Sequence, residues 1–151
     1  MSEDRKYCFT VEGKLALPYQ YFAGTIGSKF IVALRDEKKI LGIRHPATGK
    51  VLVPPRRVDE QTLEPLGENW VEVGPGGEVT NFTVVRYKRD YQPLEPPYVL
   101  ALIKLDGADT SLAHVLRDVD PGSVKIGMRV KAVFSEKSKG DLTDLACFKP
   151  E

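Results

Sequence analysis

The stretch YVLALIKLDGADTSLAHVLRD, residues 98–118, decides the fold. Its two halves, Tyr98 to Asp106 and Ser111 to Asp118, are rich in apolar residues and are separated by a turn that contains Gly and Asp. This pattern is typical of two neighbouring β-strands. The first half is apolar on both faces as far as Ile103, so we expect it to be a central strand.

Three further runs of strand length flank this pair: Glu78 to Tyr87, Met128 to Glu136 and Leu142 to Lys149. In the run that begins at Met128, apolar residues (Met128, Val130, Ala132, Phe134) alternate with polar ones (Arg129, Lys131, Ser135), as in a strand with one face on a core. The segment Asp120 to Ser123 predicts a turn or a single helical turn before that run. Five short strands in this order indicate an OB-fold barrel, whose closure leaves no free edge.

The first part of the chain has a different pattern of predicted secondary structure. We predict a short helix over residues 19–25, ended by Gly27, and a hairpin formed by residues 29–36 and 38–45 around Asp36-Glu37. The chain is therefore divided into an N-terminal segment with a hairpin, residues 1–66, and an OB-fold domain, residues 67–151.

Composition is that of an ordinary globular protein. The chain has 151 residues and a hydrophobic content of 42%, so it is long enough to bury a core. Its formal charge of +1 gives no long-range attraction for a polyanion. Cys8 and Cys147 have no C-x2-C partner, and we expect free thiols. The sequence shows no apolar run near the roughly 20 residues that span a bilayer and no secretory signal, which predicts a cytoplasmic protein.

Six segments in a fixed order carry a family resemblance: LPYQYFAG (17–24), GKVLVPPR (49–56), NFTVV (81–85), PPYVLALIKLDGAD (96–109), VDPGSVKIGMRVKAVF (119–134) and LTDLACFKP (142–150). With them the chain resembles the DUF35 family, small proteins that join a rubredoxin-like zinc ribbon to an OB-fold and accompany thiolases and other acyl-CoA enzymes. The resemblance implies a mainly β protein in which a short N-terminal helix and a degenerate, metal-free ribbon precede a five-stranded OB-fold barrel.

The four ribbon positions where the family has zinc ligands hold no cysteine. They are occupied by His45, Thr48, Asp59 and Thr62, of which only His45 is a good zinc ligand. We therefore expect hairpin hydrogen bonds and the packing of Ile43, Val51 and Val53 to hold the ribbon together.

Metal removal should leave this protein unchanged. Because a structural zinc site would need four donors, we expect chelators to have no effect on stability and elemental analysis to find no zinc. Close to one zinc per chain, after purification without added metal, would contradict the assignment of these positions.

A basic cluster accompanies the ribbon. Arg56 and Arg57 follow Pro54-Pro55, with Arg44 and Lys50 across the knuckle. Guanidinium groups bind phosphate oxyanions well, and the resemblance implies that coenzyme A lies near, so these four residues are candidate contacts for the CoA phosphates. The alternative is that they are solvated or pair with Asp59 and Glu60.

The N-terminal region carries more aromatic residues than its length would bury. We predict that a partner protein docks here, on the surface formed by Tyr19, Tyr21, Phe22, Phe30, Pro54 and Pro55. The resemblance implies that the partner is a thiolase-type enzyme with its own nucleophilic cysteine, and that this chain is a non-catalytic subunit sharing the CoA thioester. Open alternatives are a subunit of an aldolase or hydratase complex, a scaffold with no CoA contact, and a nucleic-acid binder.

Two further hypotheses concern single sites. His114, between Leu112 and Leu116 on a predicted strand, is either a general base oriented by Asp106, Asp109 or Asp118 or a packed histidine whose ring nitrogens bond to the backbone. The loop with Tyr87, Lys88, Arg89 and Tyr91 has the basic and aromatic mixture of single-strand nucleic-acid binders.

Overall fold

The computed structural model describes residues 9–13, 15, 17, 19–90, 92 and 94–151. Its first regular element is helix α1, Gly24–Val32, which continues into one π-helical turn, Ala33–Glu37. The buried residues of this stretch, Ile26, Phe30, Ala33 and Leu34, are three or four positions apart or adjacent, as on one face of a helix.

Two expectations for this region are wrong. Residues 29–36 form helix and not the first strand of a hairpin, because their apolar side chains fit the helical period and cover the core from one side. The helix expected over residues 19–25 instead begins at Gly24, and the described residues 19–23 precede it without regular structure.

A small antiparallel sheet follows the helix. It contains β1, Ile40–Arg44, β2, Val51–Leu52, and β3, Trp70–Val73, in the order β2-β1-β3. The expected hairpin packing is present, since Ile43, Val51 and Val53 are all buried. The division after residue 66 stays a prediction, with β3 pairing back to β1 from beyond that point.

The OB-fold barrel is confirmed. It consists of β4, Gly76–Val85, β5, Tyr98–Leu105, β6, Ser111–Leu116, β7, Arg129–Phe134, and β8, Leu145–Pro150, closed in the order β4-β5-β6-β8-β7. Strand β5 pairs with β4 on one side and with β6 on the other, as every strand of a closed barrel has two neighbours, and only one of its two apolar faces is buried. In β7, Val130 and Ala132 are buried whereas Arg129 and Lys131 are exposed, which confirms the alternation.

The last strand begins later than predicted. Residues Leu142–Asp144, expected to open the last strand, form a 3-10 turn. The side chain of Asp141 accepts a hydrogen bond from the backbone N–H of Thr143 (2.7 Å), which favours a helical start over an extended one.

Strand β2 is fixed to the turn between β5 and β6. The backbone N–H of Val51 donates to Asp109 Oδ2 (2.8 Å), and the N–H of Asp109 donates to the Val51 carbonyl (2.8 Å). The Thr110 hydroxyl accepts from the N–H of Val53 (2.7 Å) and donates to the Val53 carbonyl (2.9 Å). We call these four bonds the β2 clamp, and they join the small sheet to the barrel.

Candidate functional site

His45 and Asp59 each close a tight turn. His45 Nδ1 accepts from the backbone N–H groups of Ala47 (3.1 Å) and Thr48 (3.3 Å). Asp59 Oδ1 accepts from the N–H groups of Gln61 (2.8 Å) and Thr62 (2.7 Å). Each turn is therefore built by its first residue accepting from the amides two and three positions later.

A direct hydrogen bond joins the two turns. His45 Nε2 lies 2.8 Å from Asp59 Oδ2, and the two side chains are 14% and 18% exposed. Because Nδ1 is already an acceptor, Nε2 carries the hydrogen and donates it to the carboxylate. The Thr62 amide, His45 and the Gln61 amide hold the pKa of Asp59 well below its usual range. This bond between His45 and Asp59 joins the two turns that contain the four predicted ligand positions.

The other two ligand positions contribute backbone groups. Thr48 and Thr62 donate amides to the turns, and their hydroxyls accept from Lys50 N–H (3.4 Å) and Glu64 N–H (3.3 Å). Within the described residues, no three His, Cys, Asp or Glu side chains come together as a metal site would require. The absence of zinc stays a prediction.

The basic cluster does not converge on one point. Lys50 and Arg56 line a cavity of about 230 Å³ together with the acidic residues Asp59, Glu60 and Asp109. Arg56 forms an ion pair with Glu60, one of the pairings expected for this residue. These carboxylates would repel a phosphate in this cavity.

Arg44 and Arg57 lie outside that cavity. Arg44 donates to the Gly49 carbonyl across the knuckle (2.9 Å). Arg57 is exposed and forms no ion pair with another described residue. Of the four candidates for the CoA phosphates, Arg57 is therefore the one whose side chain neither pairs with a described residue nor lines the acidic cavity.

The aromatic residues proposed for docking divide into two groups. Tyr19, Tyr21 and Phe22 are each about four-fifths exposed, and the two tyrosine rings are 6.0 Å apart. Phe30 was expected to be exposed with them, and this is wrong. It is 3% exposed because it lies one helical turn after the buried Ile26, on the face of α1 that packs against residues of the small sheet and barrel. Pro54 is exposed and Pro55 half-buried, so both remain accessible beside Arg57.

His114 is not arranged as a general base. Its ring packs edge-on against Phe148 (5.7 Å between centroids), and burial lowers its pKa. The three candidate carboxylates bind elsewhere: Asp106 to Arg129, Asp109 to Val51 and Asp118 to Lys149. The ring is packed as the alternative expected, but its buried Nδ1 has no hydrogen-bond partner among the described residues.

Cys147 offers no nucleophile to this site. Cys147 is a buried free thiol on β8 beside Phe148, and burial raises its pKa, which disfavours the reactive thiolate. Cys8 lies outside the described residues.

The loop considered for nucleic acid is largely occupied by its own contacts. Lys88 Nζ bonds to Glu95 (2.5 Å) and to the Leu94 carbonyl (3.2 Å), while the Arg89 guanidinium lies 6.0 Å from the Tyr87 ring centroid. Tyr91 lies outside the described residues. Nucleic-acid binding by this loop stays an untested alternative.

Two polar arrangements were missed from the sequence. One is the β2 clamp, whose partners are 57 and 58 positions apart. The other is Asp144, which is fully buried and accepts from the amides of Lys139 (2.6 Å) and Gly140 (2.8 Å). The Asp-Gly signals near both sites mark turns, but they do not name the distant strand or the amides that each side chain binds.

None of the helices in the described part of the chain is long and apolar enough to cross a membrane.

Known proteins share this architecture. Residues 70–135 match the family model described as the ChsH2 C-terminal OB-fold domain. The DUF35 domain-containing scaffold protein of Methanocaldococcus jannaschii is 27% identical over 110 residues, which cover 72% of this chain and 77% of that protein.

Two solved structures have the same fold. The Ltp2-ChsH2(DUF35) aldolase has a TM-score of 0.60 at 24% identity, covering 82% of this chain and 92% of that chain. A protein of unknown function from the DUF35 family of Sulfolobus solfataricus has a TM-score of 0.62 at 23% identity, covering 85% and 87%.

Proposed function

Since this chain belongs to the DUF35 family of OB-fold proteins, we propose that it is a non-catalytic accessory subunit of a thiolase-type acyl-CoA enzyme complex. It docks on the catalytic subunit and helps to hold or channel the CoA thioester. The M. jannaschii relative is named a scaffold protein, and one structural neighbour is named an aldolase with a DUF35 component. Both names support an accessory role beside an enzyme.

The observation that carries this proposal is the exposed aromatic surface before α1. Tyr19, Tyr21 and Phe22 present large apolar side chains to water within four residues. Contiguous apolar surface of this kind is costly in a monomer and is a mark of protein–protein interfaces, where Tyr and Phe are enriched. Pro54 and Pro55 supply a second accessible apolar point.

Arg57 is the residue we assign to the CoA phosphates. It follows Pro54-Pro55, is exposed, and lies outside the cavity whose carboxylates surround Arg56. A guanidinium binds the pyrophosphate or 3′-phosphate with two parallel donors. Arg44 and Lys50 are weaker candidates, because one is bonded to Gly49 and the other lines the acidic cavity.

Reconstitution with the catalytic subunit tests the function. We expect the isolated chain to show no thiolase turnover, and the complex to lose activity when this chain is omitted. In the complex, Arg57→Ala should weaken apparent CoA-thioester affinity about 10- to 150-fold, the loss of one charge-assisted bond in a desolvated site. Arg56→Ala is the matched control, with an expected change under about threefold because Glu60 already pairs with Arg56.

Equal activity with and without this chain would contradict the accessory role. Unchanged affinity in the Arg57→Ala complex would contradict the CoA contact and leave docking in place.

A second candidate function is a subunit of an acyl-CoA aldolase complex. The name of the Ltp2-ChsH2(DUF35) aldolase favours it. Assaying the reconstituted complex for carbon–carbon cleavage of a β-hydroxyacyl-CoA against thiolysis of a β-ketoacyl-CoA separates the two.

A further inference from the structure

The segment before α1 has a strict two-residue pattern. Odd positions from 9 to 21 are apolar apart from Gly13, and even positions are polar, small or proline. The six apolar positions are Phe9, Val11, Leu15, Leu17, Tyr19 and Tyr21. We call residues 9–21 the N-terminal arm.

This pattern fits a strand and not a helix. At 100° per residue the six apolar side chains would point to all sides of a helix, and Gly13 and Pro18 both disfavour helix formation. At 180° per residue they lie on one face. An apolar face of this length is typical of a strand that is half buried.

This apolar face is exposed to solvent. All six apolar side chains are between 70% and 86% exposed. In the described part of the chain, arm residues form no backbone hydrogen bond and no strand pair. Both requirements of a strand, backbone partners and burial of one face, are therefore left to another molecule.

We propose that the N-terminal arm binds the partner subunit by adding as a strand to an exposed edge of the partner's sheet, with the odd side chains covering apolar surface beside that edge. The identity of the partner as an acyl-CoA enzyme rests on the proposed function above. The binding mode does not depend on it.

The sheets in the described part of a second copy do not offer such an edge. The barrel is closed, and the edge strand β2 has two residues whose neighbouring backbone groups are engaged by the β2 clamp. The other described edge, β3, has four residues. An arm of thirteen positions at about 3.3 Å each needs a longer edge, so the occupant is a different protein.

Pro18 sets which side of the arm faces the partner. The N–H groups of odd residues point to one lateral side of a strand and those of even residues to the other. Pro18 has no N–H, and proline is confined to the side of an edge strand that makes no ladder bonds. The odd residues therefore donate to the partner, and the even residues face away.

Paired substitutions in the full chain test this mode. The complex is isolated from native cells, its catalytic subunit is identified by mass spectrometry, and binding of each variant to that subunit is measured. Leu15→Lys and Leu17→Lys should each weaken association at least about tenfold, because they place charge in the covered face. Thr10→Lys and Gln20→Lys add the same charge on the other face and should change it less than about threefold. Thermal unfolding of the four free variants should match the original chain, since none of the described arm residues belongs to the buried core.

Amide exchange in the complex gives a second readout. Leu17, Tyr19 and Tyr21 amides should be protected, with Gln20 left fast. Strand addition would be overturned if lysine at odd and even positions weakened binding equally, or if amide protection did not alternate along the arm. A chain that purifies with no partner would also overturn it. A partner that is not an acyl-CoA enzyme, bound with the odd-even pattern, would support this inference and overturn the proposed function.

Discussion

Replacing His45, Thr48, Asp59 and Thr62 together by cysteine is expected to create a site that binds one zinc ion per chain. The two turns favour such a site, because residues 45 and 59 accept from amides two and three positions on, His45 Nε2 lies 2.8 Å from Asp59 Oδ2, and all four positions line one cavity. Four thiolates from two such turns supply the tetrahedral donor set that zinc prefers. In zinc-finger peptides such sites are worth on the order of 10–16 kcal/mol at pH 7.

Elemental analysis of the purified variant measures this directly, with thermal unfolding before and after chelation. We expect one zinc per chain and a large loss of stability when it is removed. The buried Cys147 should not compete as a ligand.

The matched control keeps Thr62 and changes only the other three positions. With three donors it should lose zinc to a chelator far more readily. A folded four-cysteine variant that binds no zinc would show that the knuckle positions are wrongly assigned.

Asp144→Ala is expected to reduce the free energy of unfolding by about 3–5 kcal/mol. The carboxylate is fully buried and accepts two short hydrogen bonds from the Lys139 and Gly140 amides. Each bond to a charged acceptor contributes about 1.5–3 kcal/mol. For a chain of this size the melting temperature should fall by roughly 10 °C.

Asp141→Ala is the control within the same loop. Its side chain caps the 3-10 turn from an exposed position, so its loss should cost only about 1 kcal/mol. Urea unfolding of both variants gives the comparison. An Asp144 variant as stable as the Asp141 variant would contradict the role given to the buried carboxylate.

The barrel was predictable from the sequence because its strands alternate. Residues such as Val130 and Ala132 against Arg129 and Lys131 fix which face is buried, and turn residues mark each end. Residues 29–36 carry apolar side chains at both odd and even positions, so the local pattern alone did not separate helix from strand. The core of the barrel decided it by burying Phe30 and Leu34.

The candidate site was predictable in its members but not in its contacts. The positions of His45 and Asp59 came from the family spacing, whereas their hydrogen bond depends on two turns meeting in space. The burial of Phe30 was not predictable from its neighbours in sequence, because residues from the barrel, distant in the chain, cover it. The pairing of Arg56 with Glu60, at helical spacing, was foreseen because it is local.

The β2 clamp has a consequence for geometry. Four hydrogen bonds between β2 and the β5–β6 turn leave no hinge at that junction, and the same core continues from the small sheet into the barrel. A protein bound to the small sheet therefore fixes the direction in which the barrel points. If a second protein binds the barrel, this chain acts as a spacer of constant length that sets the distance and angle between the two.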